Sequence, residues 1–345
     1  MTNHDSSRNT RQGQRVRRQN VTLMAIAVTF VLLLLVFAIL LSINVVMALR
    51  DDPELPDDTE QTPPADNDPT PEDPDSNDTP DIPAQPEDTV KTETVNSDRI
   101  NQGNLILVNL SHVYKFPASE AHLIDIYANQ KLAQTHEVYY QLGGKENYKL
   151  YMEATAYAAM NKMLIEFSTQ SGLTNVLMES AYRSYDYQKK LYDGGGSTPP
   201  GYSDSHTGLS CSLSVLGQTK DFATDESYRW IYDNCYKYGF VVRYPADKVG
   251  KTGVADYTNY FRYVGYVHAY VMKTKNLCLE EYISLLQSHT YGENALKITT
   301  DDGSNYEIYY VSAVGAQTQV PVPENATYTI SGDNEGGFIV TVKLS

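Results

Sequence analysis

The sequence predicts an α+β domain over its C-terminal part, and three observations lead there. Strand-like and helix-like segments mix from Asn104 onward without the regular βαβ spacing of a parallel sheet. One segment, Lys149–Phe167, carries Met152, Ala156, Met160, Met163, Leu164 and Phe167 on a single helical face. Short apolar runs bounded by Gly or Pro supply the strands.

The first fifty residues hold six Arg and one Asp, a net charge of +5. Val21–Leu49 has no charged residue and centres on FVLLLLVFAILL. About twenty apolar residues at ~1.5 Å each cross a bilayer, so residues 21–49 are expected to form a transmembrane signal anchor. Arg8, Arg11, Arg15, Arg17 and Arg18 precede it, and Asp51, Asp52 and Glu54 follow. That asymmetry makes residues 1–20 a cytoplasmic basic tail and puts the rest outside, on a single-pass cell-membrane protein. A cleaved signal peptide, with Val46 and Ala48 suited to the peptidase, stays open. The apolar run is longer than the roughly 7–15 residues of a signal core.

Residues 50–98 are expected to be a disordered acidic linker. Fifteen Asp or Glu and no Lys or Arg fall between Asp51 and Val90, with ten of the sixteen prolines. Such a segment cannot offset its ordering entropy by burial, and serves as an extended spacer. The formal charge of −16 is therefore uneven: taking away +5 and −15 leaves −6 for the remainder. No clustered basic face suggests a nucleic-acid partner.

Within the domain, Asn104–Leu110 reads as a strand, and Lys149–Phe167 as a helix stopped by Gly172. Thr174–Glu179 reads as a buried strand, Tyr185–Tyr192 as a short helix, and Leu209–Val215 as a strand. Thr224 is expected to cap a helix that Asp225 and Glu226 favour and Gly239 closes. Phe240–Pro245 and Phe261–Gly265 follow as strands, then helices over His268–Lys275 and Leu279–Gln287. Tyr306–Val314, Thr327–Ser331 and Gly337–Val342 suggest a small β module over residues 291–345. Cys211, Cys235 and Cys278 are too few and too far apart for a disulfide framework or a zinc ribbon, and are expected to be buried apolar residues.

Five segments occur together in order: SAYRSYDYQ, GYSDSHTGL, NCYKYGFVVRYP, NYFRYVG and LCLEEY. In that arrangement the chain resembles the VanY-like D-alanyl-D-alanine carboxypeptidases, small α+β zinc peptidases of cell-wall peptides with a hedgehog-type fold. The resemblance spans about Gly103 to Gln287, which sets a carboxypeptidase-like domain at residues 99–290. It implies a zinc site with a histidine and an aspartate from S-x-H-x-x-G-x-x-x-D and a second histidine from E-x-W-H. Three ligands leave a position for water, which zinc acidifies and the glutamate deprotonates.

Aligned on that resemblance, Ser203 and Thr207-Gly208-Leu209 match, which puts Ser205 at the first histidine and Ser212 at the aspartate. Phe261–Gly265 fix the second register, with Tyr260 at the second histidine, Tyr257 at the glutamate and Asn259 at the tryptophan. Hydroxyls are poor zinc ligands and a lone histidine cannot hold the metal, so no cofactor is expected here. The stretch GGGSTPPGY is also shorter than its family counterpart. What persists is the other side of the pocket. The resemblance turns Arg183 toward a peptide carbonyl or carboxylate, with Gln188, Ser203 and His206 as further peptide-binding candidates; a guanidinium fork suits a carboxylate. A structural Arg183, bonded to Asp186 or to carbonyls, stays open.

The expectation is a pseudoenzyme that binds peptidoglycan stem peptide or a cell-wall protein. Two alternatives remain at this point. One is an active D,D-carboxypeptidase with a rearranged metal site, in which a bulge turns His206 inward with Asp204 or Asp256 assisting. The other is a structural envelope scaffold. A Ser205–His206 hydrolase is disfavoured, because neighbours on an extended chain point to opposite sides. His268, in the helix after Gly265, reads as structural.

Overall fold

The computed structural model describes residues 89–344 apart from 134–137, 144–148 and 197. Along the chain run β1 (Val90–Asn96), β2 (Leu123–Asp125), α1 (Ile126–Ala133), β3 (Gln141–Leu142), β4 (Tyr151–Glu153), α2 (Ala154–Ser171), β5 (Val176–Ser180), α3 (Tyr185–Asp193) and β6 (Ser210–Val215). Then come α4 (Arg229–Asn234), β7 (Phe240–Tyr244), α5 (Val249–Thr252), β8 (Tyr257–Tyr263), α6 (Tyr266–Thr274) and α7 (Leu279–Gln287). The chain ends with β9 (Leu296–Thr299), β10 (Asn305–Ser312), β11 (Gln317–Pro323), β12 (Thr327–Gly332) and β13 (Gly337–Leu344). The basic tail, the apolar span at 21–49 and most of the acidic linker lie outside the described residues. Among the described residues no helix is long and apolar enough to cross a membrane.

The α+β class is as expected. A five-stranded sheet runs β3-β5-β6-β8-β7, antiparallel except for the β3–β5 pair. Helix α2 starts where Glu153 accepts the Ala156 N–H at 2.9 Å, and stops at Gly172, whose φ of 73° suits a residue without Cβ. Its predicted face, Ala156, Met160, Met163, Leu164 and Phe167, is buried against Met178, Leu213 and Phe261 of the sheet. The three cysteines are free and buried, small residues in packed surroundings.

The structure corrects several expectations. The helix predicted from Lys149 begins at Ala154, because Tyr151–Glu153 pair with β2 instead. Thr224 is not the cap it was read as: the helix starts at Arg229 after Tyr228, though Gly239 closes the following turn in the left-handed region. Val90–Asn96, read as the end of the linker, is a strand paired along its whole length with β11. Asn104–Leu110 is not a strand. Leu105 to Val108 are buried, but most peptide groups of this stretch are met by side chains, and the Leu107 N–H by the Asp333 carbonyl. Arg262 Nη2 donates to the carbonyls of Asn104 (3.1 Å) and Ile106 (2.9 Å), and Ser331 Oγ accepts the Leu105 N–H at 3.0 Å. An apolar run satisfied this way looks like a strand in sequence because burial, not pairing, selects its residues.

The C-terminal strands form a four-stranded sheet, β12-β13-β10-β9. They share a core with the rest: Val264, Val267, Leu279, Tyr282 and Ile283 pack with Ile308 and Ile339. His268 of α6 lies in this junction, its Nδ1 2.8 Å from the Tyr282 hydroxyl and its Nε2 3.0 Å from Thr341 Oγ1 of β13. Its role is structural, as expected. Burial lowers its pKa from 6.5 to about 3. A depressed folded value means that the unfolded chain takes up the proton first, so stability falls as pH drops below 6.5 toward 3. The slope reaches about 1.4 kcal/mol per pH unit. Unfolding by denaturant at pH 7 and pH 4.5 should therefore show the gap between wild type and His268→Gln narrowing by roughly 2–3 kcal/mol at the lower pH. A gap that does not change with pH would place this imidazole in ordinary solvent.

Candidate functional site

Three neighbouring strands bring the site together. Across β5, β6 and β8, Ser180 stands opposite Ser212, and Ser212 opposite Tyr260. The β5–β6 register shifts between Met178 and Ser180, and the β7–β8 register between Val242 and Tyr244. Such bulges re-aim side chains. Here Tyr257 and Tyr260, three apart on one strand, have ring centroids 5.6 Å apart instead of facing opposite ways. Ser205, on a 3₁₀ turn over Asp204–Thr207, meets the Tyr260 hydroxyl at 2.7 Å. Ser180 and Ser212 hydroxyls are 2.6 Å apart. The four residues aligned with zinc ligands and base thus converge: Ser205 bonds Tyr260, Ser212 bonds Ser180, and the rings of Tyr257 and Tyr260 lie together. Sequence reading missed Ser180, because nothing in SAYRS reveals which residue lies across the ladder.

Arg183 stands beside this cluster. Its Nη2 lies 3.4 Å from Ser180 Oγ and its Nη1 3.4 Å from Gln188 Oε1. Among the described residues, its Nε is the buried side-chain polar atom left without a hydrogen bond. None of the ion pairs among the described residues includes it, so the expected alternative of a pairing with Asp186 is not seen. Gln188 is buried and donates to the Thr198 carbonyl at 2.8 Å, so it holds a loop and Arg183 and keeps its amide inside the protein.

His206 is fully buried, not on a rim. Its Nε2 accepts the Gly201 N–H at 3.0 Å, which leaves Nδ1–H to donate to the Arg183 carbonyl at 2.6 Å. Burial lowers its pKa, and Tyr114 and Phe116 pack against its ring. Both nitrogens are thus spent on the backbone, away from Ser205 and from any ligand. Ser203 is also buried, its carbonyl accepting the His206 N–H at 3.0 Å.

Asp204 is spent as well. It is buried with Arg243 and Arg262; Arg262 Nη1 and the Ser210 hydroxyl donate to its carboxylate, and Arg243 Nε lies at 3.4 Å. Burial would raise its pKa, but the two guanidinium charges and these bonds hold it below 3.8. Arg243 also forks onto Glu280 at 2.7 and 2.9 Å. This network pins the 204–207 turn against β6, β7, β8 and α7. Asp256 is exposed.

The family resemblance implies zinc, and the donors present do not fit it. Burial raises the pKa of Tyr260 and Tyr257, so both are neutral phenols. Ser205 and Ser212 are neutral hydroxyls already bonded to Tyr260 and Ser180, and Asp204 and His206 are engaged elsewhere. Among the described residues no group of three or more His, Cys, Asp or Glu could hold a metal ion. A cleft of about 400 Å³ opens beside Arg183, lined also by Leu123, Tyr151, Tyr182, Ser184 and Tyr187.

Comparison with known proteins agrees with this architecture. The family described as "VanY: D-alanyl-D-alanine carboxypeptidase" matches residues 149–266. A "D-alanyl-D-alanine carboxypeptidase" of Enterococcus faecium is 31% identical over 258 residues, 74% of this chain and 80% of the relative. The bifunctional D-Ala-D-Ala dipeptidase and carboxypeptidase VanXYC of Enterococcus gallinarum is 26% identical over 190 residues, 52% of this chain and 92% of that protein. The crystal structure of the vancomycin-resistance D,D-dipeptidase VanXYg, in complex with a D-Ala-D-Ala phosphinate analogue, covers 74% of this chain and 100% of its own. It superposes with a TM-score of 0.63 at 26% identity. With the family match, the ordered motifs and a relative of this similarity over most of its length, the chain belongs to the VanY D-alanyl-D-alanine carboxypeptidase family.

Proposed function

We propose that this chain is a membrane-anchored, extracellular family member that holds peptidoglycan stem peptide without hydrolysing it. The carrying observation is Arg183, a guanidinium with a buried, unpartnered Nε that lines a cleft and reaches Ser180, the partner of Ser212, so that it stands next to a cluster with hydroxyls at the aligned ligand positions. Binding does not require the metal, whereas water activation does. The relatives' names, all acting on D-Ala-D-Ala, support a cell-wall peptide as the ligand class. The arginines before residue 21, the apolar run 21–49 and the acidic, proline-rich stretch after it support an anchor and a spacer.

Protease added to intact cells should shed a fragment that begins within residues 51–88. The full chain in detergent should bind a peptide ending in D-Ala-D-Ala by titration calorimetry, carry no stoichiometric zinc and release no D-alanine. Chelator-sensitive release of D-alanine would establish an active enzyme instead. A C-terminus protected on intact cells would overturn the topology. A folded chain that binds no stem peptide would leave the envelope-scaffold reading.

A further inference from the structure

Two clefts away from Arg183 join end to end. One, of about 710 Å³, is lined by Tyr114, Phe116 and Glu153. The other, of about 490 Å³, lies where the peptidase-like part meets the C-terminal sheet. Gly103 and Asn104 line both, and Glu153 of the first is two residues from Thr155 of the second, so they form one groove. Its sheet wall follows from register. Thr329 of β12 stands opposite Thr341 of β13, and Thr327 opposite Lys343, which in turn stands opposite Tyr306 of β10. Residues paired in this way share a face. Thr341 Oγ1 lies 3.0 Å from His268 Nε2, so that face is the one turned toward α6. Core packing accounts for Ile308 and Ile339, which are buried on it. It does not account for Thr327, Thr329 and Lys343, which continue the same face into the open and are exposed. The facing wall is Tyr263 and Tyr266, on either side of Gly265. Tyr263, Tyr266 and Tyr306 are all half-buried, so each has surface left to give.

The charges along this groove cancel, Asp98 and Glu153 against Lys115 and Lys343. A polyanion or a polycation would find no net field to hold it. What the walls offer instead is phenol rings, threonine hydroxyls and the exposed Gln102 carboxamide at the joint. A pyranose ring matches that combination. Its C–H face is apolar and lies flat on an aromatic ring, while the hydroxyls at its edge both donate and accept. Two clefts in line suit a linear chain better than a single sugar. We propose that this groove binds an uncharged polysaccharide chain. The site goes beyond the peptide-holding reading and shares no lining residue with the Arg183 cleft. His122 of the groove is next to Leu123 of that cleft, so a sugar chain in the groove would run beside the peptide site.

The test uses the full chain in detergent, with a melting curve beside each calorimetric titration. Two uncharged probes, the N-acetylglucosamine pentamer and cellopentaose, are compared with polyglycerol phosphate as a polyanion and decaproline as a peptide suited to aromatic grooves. At least one pentasaccharide should bind, and more tightly than either control. Which one binds tells whether acetamido groups are read. Tyr266→Ala removes a stacking ring and should weaken that binding roughly three- to tenfold. Thr329→Arg changes an exposed strand position, and should obstruct the groove and weaken binding at least roughly threefold at an unchanged melting temperature. Should Tyr266→Ala not fold, Thr329→Arg decides alone. Binding of neither pentasaccharide, or binding that Thr329→Arg leaves as in wild type, overturns the proposal. Polyglycerol phosphate or decaproline binding as tightly as the saccharide overturns the assignment to an uncharged sugar chain. No stem peptide is present in these titrations. A chain that takes saccharide but no stem peptide therefore keeps this site and loses the peptide-holding reading, and the reverse result loses only this site.

Discussion

Replacing Asp204 with Asn should lower the folding stability by about 3–5 kcal/mol, the cost of removing one partner from a buried ion pair. Asp204, Arg243 and Arg262 are all buried, and Glu280 would remain as the only carboxylate in the described network. The amide conserves volume, so a cavity is not the cause of the loss. Its direction with pH is determined by the depressed pKa of Asp204. A carboxyl held below its unfolded value of 3.8 contributes stability that is present above that pH and fades below it. The deficit of Asp204→Asn should hold from pH 8 to 5 and shrink under pH 4. Denaturant unfolding of both proteins across that range checks it. A loss under about 1 kcal/mol at pH 7 would mean that the network is worth no more than exposed ion pairs. The turn carrying Ser205 and His206 hangs on Asp204, so the same variant should also weaken peptide binding.

Arg183→Ala should weaken stem-peptide binding by roughly ten- to a hundredfold, matching a charge-assisted bond of ~1.5–3 kcal/mol. Arg183→Lys should recover only part, because an ammonium lacks the planar fork. The melting temperature should change little in either variant. The guanidinium makes no ion pair among the described residues, and its two hydrogen bonds are long, at 3.4 Å. Equal binding by wild type and Arg183→Ala would show that another residue holds the peptide. A large fall in melting temperature, with no peptide bound by wild type, would make Arg183 a structural residue.

Much of the framework is legible in the residues themselves. Helix α7 has the predicted bounds, Leu279–Gln287, and α3 and β7 match their predictions to within a residue. These segments carry local punctuation, such as Ser184 accepting the Tyr187 N–H, and their apolar pattern is local too. That Ser205, Ser212, Tyr257 and Tyr260 stand where the resemblance aligns ligands and base is equally a matter of residue identity. Position in the ladder is not. That Ser180 meets Ser212, that a register shift between β7 and β8 falls where Tyr257 and Tyr260 come together, and that His206 turns onto the Arg183 carbonyl all depend on pairings between segments far apart in sequence. The same holds for Asn104–Leu110, an apolar run whose carbonyls are met by Arg262 and Arg243, and for Val90–Asn96, whose partner is a proline-bearing strand over 220 residues onward. Sequence determined which side chains this protein has to spend. Only the tertiary structure decided which were spent on one another, leaving Arg183 Nε over, because a hydrogen bond between distant segments is selected by packing and leaves no periodicity along the chain.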